Sequence, residues 1–101
     1  MEKLKNITPG EVLQEEFLIP FGISQYRLAK ELNIHQRRIS GIINEGRRIT
    51  VDTAMRLSLF FGNSAKFWLG LQNDFDIENA KILHSSMFKQ IRKTNFERKV
   101  V

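Results

Sequence analysis

A pair of short helices joined by a tight turn, predicted between Ser24 and Arg48, is the feature that most constrains the fold of this chain. Ser24 is a favoured N-cap residue, and Asn33 tolerates the left-handed conformation that ends many helices. A second helix is expected to begin near His35. Apolar residues recur at helical spacing along both segments: Leu28, Ala29, Leu32, Ile39, Ile42 and Ile43. This pattern is typical of the helix-turn-helix motif, whose second helix enters the DNA major groove.

The outward face of the second helix is polar and basic. Gln pairs with adenine and Arg with guanine through two hydrogen bonds, so long side chains at the start of this helix are candidates for contacting base edges. These candidates are Gln36, Arg37, Arg38 and Ser40. For Arg38 a phosphate contact is the alternative. For the whole segment, a generic helical hairpin with a solvated charged face is the alternative interpretation.

A second set of polar and basic side chains is expected to contact the phosphate backbone. It comprises Gln25, Arg27, Lys30, Arg47 and Arg48. Gln25 stands at the start of the first helix of the pair, where free backbone amides favour an anion. For Arg27 and Lys30, plain surface charge is the alternative. Phosphate contacts position a protein on DNA without supplying sequence information.

The net charge of +5 is unevenly distributed along the 101 residues. Residues 25–48 contain six basic and two acidic residues, which gives +4, and residues 85–101 contain five basic and one acidic residue, which also gives +4. A polyanionic partner is therefore predicted, because contacts from Lys and Arg to phosphate dominate nucleic-acid affinity. The sequence contains no cysteine, which excludes disulfides and thiolate metal sites. No catalytic triad, cofactor or metal site is predicted.

Length and composition indicate one globular domain. Apolar residues make up 42% of the chain and charged residues 27%, as in ordinary soluble proteins. No apolar run approaches the roughly 20 residues needed to cross a bilayer, and the first residues lack the pattern of a signal peptide. A cytoplasmic protein without a membrane partner is expected.

Further helices are predicted on both sides of the central pair. Thr8 is expected to cap a first helix that ends at Pro20, and Thr50 a fourth helix that ends at Gly62. Ser64 is expected to cap a fifth helix. Asp76 is expected to cap a sixth, which extends through Met87 and towards Ile91. The predicted fold is all-α, with five to six helices. Residues 1–7 are expected to be flexible, 8–93 to form the domain with its C-terminal dimerisation helices, and 94–101 to form a disordered basic tail.

The fifth predicted helix carries a large apolar surface. Phe67, Trp68 and Leu71 lie close together in helical projection. Packing in the core or at an interface is the expected role of Trp68, and the three residues are the predicted dimer contact. A two-fold contact of this kind sets the spacing of DNA half-sites.

Over about residues 7–80, the chain resembles the HigA-type antitoxins of the Xre-like (lambda-repressor-like) helix-turn-helix family. The resemblance is carried by four blocks: TPGE at 8–11, SQYRLAKEL at 24–32, ITVDTAMRLS at 49–58 and FGNSAKFWLGLQNDFD at 61–76. The last two together are the more specific. His35 departs from the Ser, Thr or Pro more usual in the family. Asn44-Glu45-Gly46-Arg47 departs from the more usual Asn-Gly-Lys-Arg, so one lysine facing phosphate is lost.

This resemblance implies two activities. Such proteins neutralise a small ribonuclease toxin of the HigB type, and as homodimers they bind double-stranded operator DNA and repress their own operon. A repressor of the same fold that has no toxin partner is the alternative function. A small basic ribonuclease is a third possibility by size and charge, but it requires catalytic residues on a sheet, and the predicted chain is helical throughout.

Overall fold

The computed structural model describes residues 6–96, which form six helices and no strand. The first helix, α1, consists of three consecutive segments, Pro9–Val12, Leu13–Leu18 and Ile19–Phe21, of which the middle one is π-helical. The others are α2 (Gln25–Leu32), α3 (Gln36–Glu45), α4 (Val51–Phe61), α5 (Ala65–Leu83) and α6 (Ser85–Phe88). The predicted all-α fold with a helix-turn-helix at α2 and α3 is confirmed.

Side chains at the helix starts explain why these segments are helical. The hydroxyl oxygens of Thr8, Ser24, Thr50 and Ser64 each accept from the backbone N–H three residues on, which satisfies an amide that has no partner within its helix. At the start of α3, the His35 Nδ1 accepts from the Arg37 N–H at 3.1 Å. Asn33 adopts the left-handed conformation that the sequence predicts, and Gly46 and Gly62 adopt it at two further helix ends.

The predicted end of α1 at Pro20 is wrong, because the helix continues through Pro20 to Phe21. Proline lacks an N–H, and its ring crowds the carbonyl group one turn earlier in an ordinary α-helix. Here the preceding turn is wider, and the Ile19 N–H donates to the Gln14 carbonyl, five residues back. The wider turn accommodates the ring. The helix ends at Gly22, which has a φ of 66°.

The predicted start of a helix at Asp76 is also wrong. Asp76 lies inside α5, which runs without interruption from Ala65 to Leu83. Its carboxylate accepts from the Gln72 Nε2 at 3.1 Å and forms an ion pair with Arg48. The break comes instead at His84, and the short α6 ends before Ile91.

The core is built around Trp68, whose side chain is completely buried. The rings of Phe17 and Phe61 pack against the indole at centroid distances of 4.8 and 5.9 Å, and the indole N–H donates to the Asn63 Oδ1 at 2.9 Å. The remaining fully or nearly buried apolar residues belong to the same core cluster: Leu13, Leu18, Leu28, Ala29, Leu32, Ile39, Ile42, Ile49, Ala54 and Leu57. This burial corrects the expectation that the Trp68 side chain contributes to a dimer contact.

The two predicted flexible ends, residues 1–7 and 94–101, lie only partly within the described residues. The Asn6 amide donates to the Phe75 carbonyl and to the Asn79 Oδ1, each at 3.0 Å. Asn6, which is predicted to belong to a flexible segment, is therefore attached to α5. The rest of that segment, residues 1–5, and most of the predicted tail, residues 97–101, lie outside the described residues.

Candidate nucleic-acid interface

The inner side of α3 is fixed in the core, and its outer side is free. Ile39 and Ile42 are almost completely buried, whereas Gln36, Arg37 and Arg38 are exposed. The buried residues hold the helix against α1 and α2, so the orientation of the outer side chains is set by the fold. A helix fixed in this way presents a polar and basic surface.

Gly10 of α1 allows a close contact with the backbone of α3. A Cβ atom at this position would overlap the Ile42 carbonyl oxygen and lie 2.9 Å from the Ile43 Cα. These are backbone atoms, which cannot move aside as a flexible side chain can. No local sequence pattern predicts this role of Gly10, because nothing near it in the chain shows which helix packs against it. Its missing side chain sets the distance between α1 and α3.

Gln36 and Arg37 occupy the start of the outer face of α3. Arg37 forms no ion pair within residues 6–96, so its guanidinium group is available to a ligand. Ser40 is half-buried, and its hydroxyl donates to the Arg37 carbonyl at 3.2 Å. Of the predicted base contacts, Gln36 and Arg37 are therefore the more accessible.

Arg38 is held by a carboxylate of α4. Its Nη1 lies 2.7 Å from the Asp52 Oδ2, and the Arg56 Nε donates to the same oxygen at 3.0 Å. The hydrogen bond from Arg56, which has the larger effect, and the hydrogen bond from Arg38 lower the pKa of Asp52. Arg56 also donates to the Leu32 carbonyl at 2.8 Å. This network joins α3 and α4 to the end of α2, and no local sequence pattern predicts it.

Arg47 follows α3 and folds back onto it. Its N–H donates to the Gly41 carbonyl at 3.0 Å, and its Cδ would lie 2.8 Å from a Cβ atom built on Gly41. The Arg47 Nη2 forms an ion pair with the Glu45 Oε2 at 3.2 Å. Its aliphatic stem therefore crosses the outer side of α3 at the position that lacks a side chain.

Arg48 points towards the C-terminal half of the fold. Its Nη1 lies 2.7 Å from the Asp76 Oδ2. The neighbouring Gln72 is buried, and its Oε1 accepts from the Ile49 N–H at 2.8 Å. Both contacts connect α5 with the segment between α3 and α4. Neither partner on α5 was predicted, because they are separated from this segment by more than 20 residues.

Four arginines meet at one surface. A cavity of about 400 Å³ is lined by His35, Arg37, Arg38, Ile42, Arg47 and Arg48. Gln25 is half-buried at the start of α2, and Arg27 and Lys30 are exposed on that helix, outside this cavity. The structure therefore brings together most of the predicted base-contacting and phosphate-contacting arginines. A concave surface of this charge is suited to a polyanion.

No helix within residues 6–96 is both long enough and apolar enough to cross a membrane.

The six-helix fold and its basic α3 define a helix-turn-helix domain. The helix-turn-helix family model matches residues 14–68. Virulence-associated protein I of Dichelobacter nodosus is 47% identical over 75 residues, which are 74% of this chain and 69% of that protein. The antitoxin HigA-1 of Vibrio cholerae is 36% identical over 75 residues, 74% of this chain and 70% of the relative.

A solved structure shows the same likeness in three dimensions. The Pseudomonas aeruginosa antitoxin HigA, determined with the higBA promoter, superposes with a TM-score of 0.82 at 35% identity, covering 87% of this chain and 97% of the other. This chain belongs to the helix-turn-helix family and, within it, to the HigA-type antitoxins.

Proposed function

We propose that this chain binds double-stranded operator DNA through α3, represses its own promoter as a homodimer, and neutralises a ribonuclease toxin of the HigB type. The observation that carries the DNA-binding part is the exposed, arginine-rich outer face of a helix whose inner face is buried. Its similarity to an antitoxin determined with promoter DNA supports the same conclusion.

In this proposal α3 lies in the major groove. Gln36, Arg37, Ser40 and Arg38 contact base edges. Because Arg38 is paired with Asp52 in the free chain, a phosphate contact is its alternative role. The side chains proposed to contact phosphate are Gln25, Arg27, Lys30 and Arg48. Because Arg48 is paired with Asp76 in the free chain, phosphate replaces a carboxylate partner when the DNA binds.

An Arg37→Ala variant tests the proposed base contacts. Its affinities are measured for operator variants that each have one base pair exchanged. The variant should lose base discrimination at a single operator position, because a bidentate pair contributes about 1–3 kcal/mol of discrimination. Titration of each labelled duplex with the protein measures these affinities. Unchanged relative affinities across the whole panel would contradict a base contact by Arg37.

Dimerisation is proposed to use α5 and α6. Phe67 and Leu71 keep part of their surface exposed beside the buried Trp68. Further large apolar side chains are exposed on the same two helices: Ile77, Ile82, Leu83, Met87 and Phe88. Exposed apolar surface of this extent is typical of an interface, and homodimers bury such patches across a two-fold axis.

A Leu83→Asp variant tests this interface. It should weaken self-association by at least about tenfold, because the new carboxylate would be buried in an apolar contact. Sedimentation equilibrium measures the dissociation constant. Leu59→Asp is the matched control, since Leu59 is also exposed but lies on α4. Equal effects of the two substitutions, or a wild-type monomer with and without DNA, would refute the proposed dimer contact.

The antitoxin activity rests on the family to which the chain belongs. If a small basic protein is encoded beside this chain, co-expression should restore growth to cells that produce it, and the two proteins should co-purify. Failure of both would leave the alternative, a repressor without a toxin partner. A mobility-shift assay with the promoter fragment tests repression independently.

A further inference from the structure

We propose that Arg47 contacts a guanine base in the operator and thereby determines part of the sequence specificity, rather than contacting phosphate alone. This inference rests on the proposed DNA binding by α3. Gly41 has no side chain on the outer face of that helix and is nevertheless buried. Gly41 follows Arg37 by four residues, so it lies on the same face one turn further along. Along this line of the helix, Arg37 has a long side chain, and Gly41, one turn later, has none.

Arg47 fills this position from outside the helix. Its Cδ, Nε and Cγ would lie 2.8, 3.3 and 3.5 Å from a Cβ atom on Gly41. The backbone hydrogen bond from the Arg47 N–H to the Gly41 carbonyl fixes the start of the side chain at the end of α3. The stem therefore runs across the helix surface, and the guanidinium group is carried to the face that also presents Arg37.

Glu45 orients the guanidinium group of Arg47 without using all of its N–H donors. The ion pair at 3.2 Å uses Nη2, and a guanidinium group has five N–H donors in a fixed fork. The remaining donors are sufficient for a bidentate contact with the O6 and N7 of guanine. Both side chains of this pair are more than half exposed, so the fork is open to a ligand in the groove.

The first test is selection from a random-sequence duplex library with four proteins: the wild type, Arg47→Ala, Gly41→Leu and Arg48→Ala. The wild type should select a defined sequence; if it selects none, the proposed DNA binding fails before Arg47 is examined. Arg47→Ala should lose about tenfold of the preference for one guanine and keep the other preferences. Gly41→Leu should lose the same preference, because its side chain displaces the Arg47 stem.

Arg48→Ala is the control for a phosphate contact. It should lower affinity for all duplexes by a similar factor and leave the preferences unchanged. A uniform loss of this kind for Arg47→Ala would overturn the proposal. So would a Gly41→Leu variant that folds, with an unchanged circular dichroism spectrum, and retains the guanine preference.

A second measurement replaces one atom of the DNA, the ring nitrogen N7, with a C–H group. Replacing the selected guanine with 7-deazaguanine deletes the N7 acceptor without adding bulk to the groove. The wild type should lose about tenfold in affinity for this duplex, whereas Arg47→Ala should bind both duplexes equally. Equal sensitivity of the two proteins to the substitution would show that another residue contacts this base.

Discussion

The outer face of α3 and the C-terminal part of α5 with α6 are both exposed, but they are supported differently. On the inner side of α3, Ile39 and Ile42 have almost no accessible surface, and the helix is capped at its start by His35. From Lys81 to the last described residue, every side chain is exposed, and α6 begins without a side-chain cap. The position of α3 is thus determined within the chain, whereas nothing among residues 6–96 covers the apolar C-terminal surface.

The largest difference between the two regions should appear when one apolar side chain is removed from each. Trp68→Ala should lower the free energy of unfolding by about 3–5 kcal/mol, because it leaves a cavity in the core. Leu83→Ala should change it by about 0.5 kcal/mol or less in the monomer, since Leu83 is 74% exposed. Urea unfolding of dilute protein measures both. A comparable loss in the two variants would mean that Leu83 has support within the chain.

A smaller effect is expected where α1 supports α3. Gly10→Ala should lower the free energy of unfolding by about 1–3 kcal/mol, because the new methyl group overlaps the backbone of α3. Operator affinity should fall as well, since α3 must shift. Thermal unfolding and DNA titration measure the two effects.

Gly70→Ala is the matched control for this substitution. It adds the same methyl group to α5, where nothing lies within 4 Å, and should stabilise the protein by about 0.5–1 kcal/mol. If both substitutions stabilise the protein, the close contact between α1 and α3 does not exist.

The smallest expected effect is a change in how the free energy of unfolding depends on acidic pH. The hydrogen bonds from Arg56 and Arg38 hold the pKa of Asp52 below its ordinary value of 3.8. The unfolded chain therefore takes up this proton at higher pH than the folded one. The stabilisation is fully present above about pH 4 and is lost as the pH falls through the folded-state pKa.

Asp52→Asn should therefore flatten the acid dependence of stability below this pH, as measured by urea unfolding at a series of pH values. Asp74→Asn is the control, because Asp74 is exposed and pairs with no cation among residues 6–96. An unchanged acid dependence in Asp52→Asn would show that the network does not persist in solution.

Local chemistry explains which features were predictable. The caps at Thr8, Ser24 and Thr50 and the left-handed Asn33 depend on residues within a few positions, so the sequence places these helix ends correctly. The helix end predicted at Pro20 is wrong because the wide turn before it removes the usual steric clash between the proline ring and the preceding carbonyl group.

Long-range contacts account for most of the rest. The roles of Gly10, Gln72 and Asp76 depend on distant segments, and no local pattern shows which ones. Trp68 illustrates the same limit: its spacing correctly predicts an apolar surface, but only the packing of Phe17 and Phe61 places it in the core rather than at an interface.

The crystal structure of the protein with the duplex that it selects tests the central claim most directly. The account predicts α3 in the major groove, with the Arg37 guanidinium group about 2.7–3.2 Å from an acceptor on a base edge. A complex in which α3 faces solvent while another surface contacts the DNA would contradict it.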